Sequence, residues 1–539
     1  MTARIGIDFG TANTVVARWD EARGRGEPVP LDGVDLTRSA GRGVRQRVVP
    51  SLVAYSHSGS RRWLGAQVAQ RPELLNDPDV TVFQSTKSNV TGRAIDIART
   101  VGDRKITARD AATQFLGDVT ALAVLAVGAD DLEIVATAPV ETFDTYRDWL
   151  VREVGGGIGA ARLRVVDEAT AAAVGYSARM SPGDVFCVFD FGAGTLDVSV
   201  VRVEEPDTAG AGAGVRAIAK VGLDLGGNHV DALLAEYAAA EARLPHGDPV
   251  TYNRVFRRLL LAAEAAKVAL THDEHAEIAA TDPSTGRQYR TEITRSRFER
   301  LLRDKDVLGR VNRALRKALE GAAAKGYPVD GFAGVFLVGG TSLIPAVQDL
   351  LHLQFEPGLV HLDRPLEAVA AGAAGIAGGR ELHDHIQHDY AIRHVEQATG
   401  TYEFELLVEA GTAYPTPEPV RSITIKAIHH GQRRMGLAVY ELAHATHREA
   451  AGADLEIVFD ASGGARTVAV SAQQRQERAT LWLNEESPTF LEADPPAAAG
   501  VDRFRLDFRI DAQKRLTVSA FDIERRTWVL RGHPVVQLA

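Results

Sequence analysis

The chain of 539 residues is longer than one ordinary domain and predicts roughly three to four domain-sized units. Its hydrophobic content of 45% is typical of a folded protein with complete cores. The formal net charge of −10 disfavours electrostatic binding to nucleic acid or to an anionic membrane, so neither is expected as a partner. The single cysteine, Cys187, excludes an internal disulfide and is typical of a reducing compartment.

Two further features of the sequence bear on localisation. The N-terminal residues lead directly into a predicted strand, without the apolar region of a secretion signal. The sequence contains no run of about 18 consecutive apolar residues, the length that a membrane helix requires. We therefore expect a cytoplasmic protein.

A repeated pattern organises the first part of the chain. Residues 5–17 read as a strand, a tight glycine turn and a second strand, and residues 185–201 repeat this order. Each copy contains an Asp-Phe-Gly triplet, which begins at Asp8 in the first copy and at Asp190 in the second. A repeat of this kind predicts two similar lobes.

Helices and strands alternate between and after the two copies, which favours an α/β fold. Thr341 or Ser342 is predicted to cap a helix that has Pro345 in its first turn. Residues 367–378 are mostly small and predict a helix suited to close packing. The other predicted helices cover 109–127, 139–154, 252–270 and a stretch opening at 222–229, and the predicted strands cover 132–137 and 332–338.

Beyond about residue 380 the pattern changes to one of strands. The strict alternation of apolar and polar residues over 504–510 indicates a sheet with one solvated face. We predict a first domain at 1–380, a linker at 381–395 and a β-rich domain at 396–539 that no long amphipathic helix closes. Strands are predicted at 402–408, 422–428, 437–442, 504–510 and 516–521, and a loop at 494–500.

The glycine turns of the repeat are candidate phosphate sites. Backbone N–H groups in such turns approach phosphates closely, and an aspartate before each turn is suited to holding a hydrated Mg²⁺ beside them. One turn alone is as readily an ordinary β-hairpin. Two turns, with a third glycine pair at Gly339 and Gly340, favour a clamp around a nucleotide tail.

Other phosphate-binding motifs do not fit this sequence. It lacks the Gly-x-x-x-x-Gly-Lys-Ser/Thr loop, which excludes the P-loop class. Gly192-x-Gly194 lacks the third glycine of a dinucleotide fingerprint. The Asp-Phe-Gly triplets lack the His-Arg-Asp loop that accompanies them in protein kinases.

Four motifs, in this order, resemble those of the DnaK-type, seventy-kilodalton heat-shock chaperone family in the actin-like ATPase superfamily. Residues 7–14 resemble its first phosphate motif, residues 166–173 its connecting helix, residues 189–197 its second phosphate motif and residues 337–341 its adenosine motif. The stretch Glu264 to Thr271 and the β-rich tail are similar to the chaperone branch. The resemblance implies a two-lobed actin-like (ribonuclease H-like) α/β ATPase domain, followed by a β-sandwich-like domain without a helical lid.

The resemblance also implies roles for individual residues. Asp8 and Asp190 would hold Mg²⁺ through its waters, and Pro139 and Arg147 match an interlobe switch and its relay. The implied catalytic residues are Lys87, Glu168, Thr195 and Asp197. The implied nucleotide-binding residues are Gly10, Thr11, Ala12, Asn13, Gly192, Ala193, Gly194, Thr195, Gly226, Gly227, Asn228, Glu264, Lys267, Thr271, Gly339, Gly340, Thr341 and Leu343. Taken without the resemblance, Glu264 and Lys267 read as a surface ion pair.

The sequence departs from the family pattern in three places of the first domain. Ala12 stands where a second threonine is common, and Ala169 replaces a proline after Glu168. Leu343 replaces the arginine that stacks on adenine, a loss of about 1–2 kcal/mol in nucleotide binding. The groups that would bind magnesium and hydrolyse ATP remain, so we expect slow ATPase activity.

The linker departs from the family's acidic, leucine-rich segment. Ile386, Tyr390 and Ile392 are expected to serve as its apolar anchors. His383, His385 and His388 lie in the same stretch, but a metal site is disfavoured because no cysteine joins them.

The resemblance implies an ATP-dependent, chaperone-like protein whose β-rich domain binds unfolded or extended protein segments, with a co-chaperone and a nucleotide-exchange factor as further partners. ATP or ADP and Mg²⁺ are the expected cofactors, and K⁺ is allowed. One alternative is a nucleotide-dependent scaffold with one dedicated protein partner and little turnover. A small-molecule kinase on the same fold is the other, and the match at Glu264 to Thr271 disfavours it.

Overall fold

The computed structural model describes residues 2–40, 44–75, 77–89, 98–129, 131–138, 149–152, 162–176, 181–203, 215–245, 247–379, 386, 389–395, 402–410, 412, 414–442, 455–459, 465–469, 480–484, 489–511 and 515–538. These residues form two compact units, one drawn mainly from residues 1–382 and the other mainly from residues 383–539.

The first unit is built from two lobes. The elements of the first lobe are β1 (Thr2–Phe9), β2 (Asn13–Asp20), β3 (Arg25–Pro28), β4 (Leu36–Ser39), β5 (Arg45–Pro50), β6 (Val53–Ser56), β7 (Arg62–Leu64), α1 (Ala66–Ala69), β8 (Val80–Phe83), β9 (Arg99–Val101), β10 (Arg104–Ile106), α2 (Ala108–Val127), β11 (Asp131–Ala138), β12 (Arg162–Asp167) and α3 (Glu168–Gly175).

The second lobe follows in the same manner. Its elements are β13 (Val185–Phe191), β14 (Leu196–Val203), β15 (Val215–Leu223), α4 (Gly227–Glu241), α5 (Pro249–Ala269), β16 (His275–Thr281), β17 (Gln288–Thr294), α6 (Arg295–Asp304), α7 (Val307–Ala323), β18 (Phe332–Val338), α8 (Pro345–His352), β19 (Val360–His361) and α9 (Ala368–Ala377).

The strand pairing confirms the repeat that the sequence predicts. The first sheet contains the order β3-β2-β1-β11-β12, and the second sheet has the order β15-β14-β13-β18-β19. In each sheet the first three strands pair antiparallel and the last three pair parallel. The two glycine turns, after β1 and after β13, therefore hold equivalent positions in the two lobes.

Helix α2 packs in the core of the first lobe. By length and composition it is apolar enough to span a membrane, and it is the one helix of this kind among the described residues. Its Phe115, Leu116 and Val119 are buried against Phe9 of β1 and against Trp149. These contacts are those of a core helix of a folded lobe.

Helices α3 and α9 each pack on the sheet of the opposite lobe. Helix α3 follows the last strand of the first sheet and packs on β13, β14, β15 and β18 of the second sheet. Helix α9 follows the last strand of the second sheet and packs on β1, β2, β3 and β11 of the first. The two helices also contact each other, so the link between the lobes is a crossing of two short helices.

Small residues make this crossing possible. A Cβ atom added at Gly372 of α9 would overlap the carbonyl oxygen of Ala171, and one at Gly175 would overlap that of Ala368. The backbones of α3 and α9 are thus in direct contact, as the small-residue composition of 367–378 predicts.

One local prediction in this region is wrong. Neither Thr341 nor Ser342 caps the helix that begins at Pro345, because the N-cap position belongs to Ile344. The Thr341 hydroxyl donates to the carbonyl oxygen of Gly192 instead, and the Ser342 hydroxyl donates to that of Gly339. The acceptors are carbonyl oxygens of two glycine turns. The sequence pattern does not show that these turns lie within reach of the hydroxyls.

The second unit is rich in strands. Its strands are β20 (Asp389–Val395), β21 (Tyr402–Val408), β22 (Arg421–Lys426), β23 (Gln432–Leu437), β24 (Val439–Leu442), β27 (Thr480–Trp482), β28 (Thr489–Ala497), β29 (Asp502–Ile510), β30 (Arg515–Asp522) and β31 (Thr527–Gln537). Its main sheets have the orders β21-β20-β24-β27 and β22-β29-β30-β31, and a further pair joins β23 to β28. The intervening hairpin of β25 (Leu455–Phe459) and β26 (Ala465–Ala469) belongs to the first compact unit.

The core of the second unit confirms the alternation predicted for 504–510. Phe504, Leu506, Phe508 and Ile510 all point into the core, whereas Arg505 is exposed. Arg503 is the exception in this strand, since its guanidinium is buried in an ion pair with Asp522 at 2.8 Å.

Two predictions for this unit need correction. The expected strand at 437–442 is two strands that lie in different sheets, divided at Ala438. The expected loop at 494–500 is wrong for its first part, because β28 continues to Ala497. Its prolines, Pro495 and Pro496, fall at an irregularity in the pairing with β23, where a missing N–H costs no ladder bond.

The helix crossing leads to a test of stability. We expect Gly372→Ala to lower the free energy of unfolding by about 1–3 kcal/mol, because the new methyl group forces two backbones apart. Gly321→Ala is the matched control, since Gly321 lies within α7 and an added Cβ there meets only the Ala219 side chain, at 3.5 Å. That control should be neutral or stabilising by about 0.5–1 kcal/mol. Urea denaturation of both variants measures the difference, and equal midpoints for Gly372→Ala and the wild type would contradict the backbone contact.

Candidate functional site

The two glycine turns face one cleft between the lobes of the first unit. The cleft encloses about 1060 Å³, open solvent at its mouth included. Predicted site residues that line it are Asp8, Gly10, Thr11, Ala12, Asn13, Lys87, Glu168, Asp190, Gly192, Ala193, Gly194, Thr195, Glu264, Lys267, Thr271, Gly339, Gly340, Thr341 and Leu343.

The first turn is braced by a residue that the sequence motifs do not include. The hydroxyl group of Ser51 donates to the carbonyl oxygen of Gly10 at 2.7 Å and lies 2.9 Å from the hydroxyl of Thr14. The Ser51 backbone N–H donates to the carbonyl oxygen of Ala12. Ser51 is buried, so these bonds hold the turn after β1 in a fixed shape.

The second turn is braced by a layer of backbone behind it. The N–H groups of Gly227 and Asn228 donate to the carbonyl oxygens of Gly192 and Ala193 at 3.0 and 2.8 Å. A Cβ atom at Gly226 would overlap the backbone of Ala193. Gly226, Gly227 and Asn228 therefore support the phosphate turn from behind and are not among the residues that line the cleft.

Lys87 and Glu168 meet in the cleft. The ammonium group of Lys87 lies 2.6 Å from Oε1 of Glu168, and the two side chains are 9% and 13% exposed. Lys87 follows β8 in a short 3₁₀ turn, and Glu168 is the first residue of α3. Two residues that are 81 positions apart are thereby joined in one partly buried ion pair.

Carboxylates outnumber cations at this point of the cleft. Burial and the charge of Glu168 raise the pKa of Asp8 to about 7, although Lys87 and a hydrogen bond from Thr137 act in the opposite direction. Burial also raises the pKa of Asp190 well above its ordinary value, with added repulsion from Glu168 and Asp197. Asp197 lies directly opposite Asp190 in the strand pairing of β13 and β14.

This donor set suits a hydrated divalent cation. Mg²⁺ prefers oxygen ligands, keeps several of its waters and is commonly held by one or two carboxylates together with phosphates. Asp8 and Asp190 are such a pair. Among the residues that the structure describes there is no cluster of three or more His, Cys, Asp or Glu side chains placed to coordinate a metal ion directly.

At the other end of the cleft, Glu264 and Lys267 are not paired with each other. The Lys267 ammonium is buried and donates to Asp231 of α4 at 2.8 Å and to the carbonyl oxygen of Gly227 at 3.2 Å. Glu264 lies 3.9 Å from Arg38 of the first lobe. The reading of these two residues as a surface ion pair is therefore wrong, since α5 lies against α4 and its lysine points into the protein.

Several lining residues at this end were not singled out from the sequence. They are the polar Arg38 and Ser39 and the apolar Val268, Val338, Pro365, Leu366 and Val369. Arg38 lies on β4, well outside the glycine turns. Val268 and Val338 fall inside the predicted stretches at 264–271 and 337–341, but an apolar side chain within such a stretch does not mark itself as a lining residue.

Other predicted residues lie away from the cleft or outside the described ranges. Pro139, Arg147 and the histidines at 383, 385 and 388 fall outside the residues that the structure describes. Ile386, Tyr390 and Ile392 are described, and all three are buried in the core of the second unit.

The cleft joins two repeated lobes, each of which brings a glycine turn and a half-buried aspartate, and this arrangement defines an actin-like, phosphate-binding class of protein. The family model described as Hsp70 protein matches residues 4–449. The chain belongs to the Hsp70 family.

Curated relatives agree with this assignment. The chain is 28% identical over 550 residues to "Heat shock 70 kDa protein 6, chloroplastic" of Arabidopsis thaliana. The aligned region covers 96% of the chain and 67% of that protein. It is 29% identical to "Chaperone protein dnaK" of Guillardia theta, over 69% of the chain and 59% of that protein. The protein of the same name from Emiliania huxleyi is 30% identical, over 70% of the chain and 60% of its own length. The chain thus spans about three fifths to two thirds of the length of these relatives.

The raised pKa of Asp8 predicts a pH-dependent stability. The folded protein without nucleotide holds this proton to higher pH than the unfolded chain does, so the associated stability is present below the unfolded pKa and is lost as the pH rises to about 7. We expect Asp8→Asn to raise the free energy of unfolding by about 1–4 kcal/mol near pH 8 and by less near pH 5. Urea denaturation at both pH values tests this, with the exposed Asp103→Asn as control. A gain that is the same at both pH values would contradict the raised pKa.

Proposed function

We propose that the chain binds ATP with Mg²⁺ in this cleft, hydrolyses it slowly to ADP and phosphate, and uses the nucleotide state to control binding of protein segments by its second unit. Membership of the Hsp70 family supports ATP binding and a chaperone role. The observation that carries the proposal is the convergence of two glycine turns, two half-buried aspartates and the Lys87–Glu168 pair on one cleft.

The steps of hydrolysis are assigned to residues of the cleft and to Asp197, which pairs in the sheet with Asp190 of the cleft lining. In the reaction a water oxygen bonds to the γ-phosphorus while the bond from that phosphorus to the bridging oxygen of the β-phosphate breaks. The turns at Gly10 to Asn13 and Gly192 to Thr195 offer backbone N–H groups and hydroxyls to the phosphates. Bound Mg²⁺ would neutralise phosphate charge, and Asp8 and Asp190 would hold it through its waters.

Three further side chains act on the charge of the transferred phosphoryl group and on the proton of the attacking water: Lys87, Glu168 and Asp197. The Lys87 ammonium stabilises negative charge on the transferred phosphoryl group. Glu168 and Asp197 orient the attacking water and take up its proton. The 2.6 Å pair between Lys87 and Glu168 must loosen before either group reaches the phosphate, which is consistent with slow turnover.

The second unit supplies the protein-binding part of the proposal. Residues 504–521 of this unit resemble in sequence the last strands of the family's peptide-binding domain, and unfolded or extended segments are its expected ligands. A co-chaperone and a nucleotide-exchange factor are proposed as further partners, and the cytoplasm as the compartment.

A second candidate function is a nucleotide-dependent switch with one dedicated protein partner and little turnover. The observation that favours it is again the close Lys87–Glu168 pair, because a cation and a carboxylate held together at 2.6 Å must separate before either acts on a phosphate. The two candidates differ in whether an unfolded protein changes the rate of hydrolysis.

Steady-state ATP hydrolysis decides between them. We expect a reduced, unfolded protein to increase turnover, and Lys87→Ala to lower turnover about 100-fold or more while nucleotide still binds. Lys305→Ala is the matched control, because Lys305 is an exposed lysine of the same first unit. Turnover that is indifferent to unfolded protein would favour the dedicated-partner switch. Hydrolysis that survives in Lys87→Ala would remove Lys87 from the mechanism.

Arg38 is proposed to contact the base. Val268 and Leu343 contribute apolar surface to the lining of the cleft. The Arg38 guanidinium also lines the cleft, from the first lobe, and is held by Asn13 at 3.2 Å and by Glu264 at 3.9 Å. A guanidinium over a nucleobase contributes about 0.5–2 kcal/mol.

We therefore expect Arg38→Ala to weaken ADP binding about 2- to 30-fold in a calorimetric titration. The control is Arg45→Ala, which removes an exposed arginine from the strand beside β4. Equal affinities for Arg38→Ala and the wild type would show that the base makes no contact with Arg38.

A further inference from the structure

Asp167 determines where Glu168 projects into the cleft. It ends β12 and is the N-cap of α3, the helix that begins with Glu168. Its Oδ1 accepts a hydrogen bond from the backbone N–H of Thr170 at 2.8 Å, and its Oδ2 accepts one from the Thr170 hydroxyl at 2.6 Å. These bonds orient the first turn of α3, so a movement of Asp167 moves Glu168 as well.

A lysine of the other lobe reaches this cap. Lys220 lies on β15 of the second sheet, opposite Ser199 of β14. Its ammonium nitrogen is 3.9 Å from Oδ1 of Asp167, and the two side chains are 9% and 6% exposed. Because water screens a pair this deeply buried far less than a surface pair, its attraction is correspondingly stronger.

The Lys220 ammonium lies beside the N-terminus of α3. The N-terminus of a helix carries partial positive charge, so a cation placed there is repelled unless a carboxylate lies between. Asp167 is that carboxylate, and the buried Lys220 therefore depends on it. The pair joins the start of α3, which belongs to the first lobe by its chain connection, to a strand of the second lobe.

We infer that Lys220 is a positioning residue for hydrolysis, acting through Asp167 to hold Glu168 at a set place relative to the second lobe. Asp190 and Asp197 lie on β13 and β14 of the sheet that carries Lys220. Lys220 does not itself line the cleft, so it affects the alignment of Glu168 and leaves nucleotide contacts unchanged. The inference rests on the proposed ATPase function.

The first test separates turnover from binding. We expect Lys220→Met to lower kcat for ATP hydrolysis about tenfold or more, since small displacements of catalytic groups are costly. The dissociation constant for ADP should stay within about twofold of the wild-type value, because the cleft lining is intact. Lys220→Arg, which keeps the positive charge, should restore most of the lost turnover. Wild-type kcat in Lys220→Met, or equal losses in kcat and in affinity, would overturn the inference.

Lys325→Met is the matched control. The Lys325 ammonium donates to the carbonyl oxygen of Ile218 at 2.8 Å, so it too is a lysine that supports β15, but through a main-chain acceptor of that strand. We expect this variant to lose stability and to keep wild-type kcat. A tenfold loss of kcat in Lys325→Met as well would assign the effect to general weakening of β15 and overturn the positioning role.

A double variant covers the case in which Lys220→Met fails to fold. Asp167→Asn combined with Lys220→Met removes both charges, while the asparagine oxygen still accepts the cap bond from Thr170. We expect the double variant to unfold at a higher urea concentration than Lys220→Met and to remain slow in hydrolysis. Wild-type turnover in the double variant would overturn the inference.

A readout without hydrolysis separates this inference from the proposed function. A wild-type chain that binds ADP but does not hydrolyse ATP refutes the proposed ATPase, and hydrogen exchange of the α3 amides then decides the anchoring. We expect exchange in residues 168–175 to be faster in Lys220→Met than in the wild type and in Lys325→Met, with α2 unchanged. Unchanged exchange in α3 would overturn the inference.

Discussion

The backbone contact between α3 and α9 is the constraint on which the first unit depends. Each helix leaves one lobe and packs on the sheet of the other, and glycine or alanine at the crossing lets the two chains touch. Larger side chains there would separate the lobes and widen the cleft. Because α3 begins at Glu168, the same contact that joins the lobes also places a predicted catalytic carboxylate.

The charges of the cleft follow from this arrangement. Two repeated turns bring Asp8 and Asp190 together in a place that water reaches poorly, and Glu168 adds a third carboxylate. The protein carries the cost of this repulsion in the folded state without nucleotide, which a bound cation and its phosphates would relieve. Stability and ligand binding are therefore coupled through the same few side chains.

The parts of the site that the sequence predicted are local. A glycine turn between two strands depends on residues that adjoin each other, so residues 8–13 and 190–195 were found as motifs. Ser51, which braces the first turn, and Arg38, which lines the cleft, lie well away from those motifs, and nothing in their neighbours marks them. The partner of Lys267 was likewise missed, because Asp231 comes from another helix and only packing brings the two together.

The sequence by itself determined the repeat, the class of fold, the glycine turns and the small-residue helix, because each depends on residue types at short spacing. Only the tertiary structure decided which charges pair: Lys87 with Glu168, Lys267 with Asp231 and Lys220 with Asp167. The same holds for the strand that runs through Pro495 and for the division of 437–442 between two sheets. The physical reason is that an ion pair or a sheet edge is set by distance in space, whereas a periodic pattern records only distance along the chain.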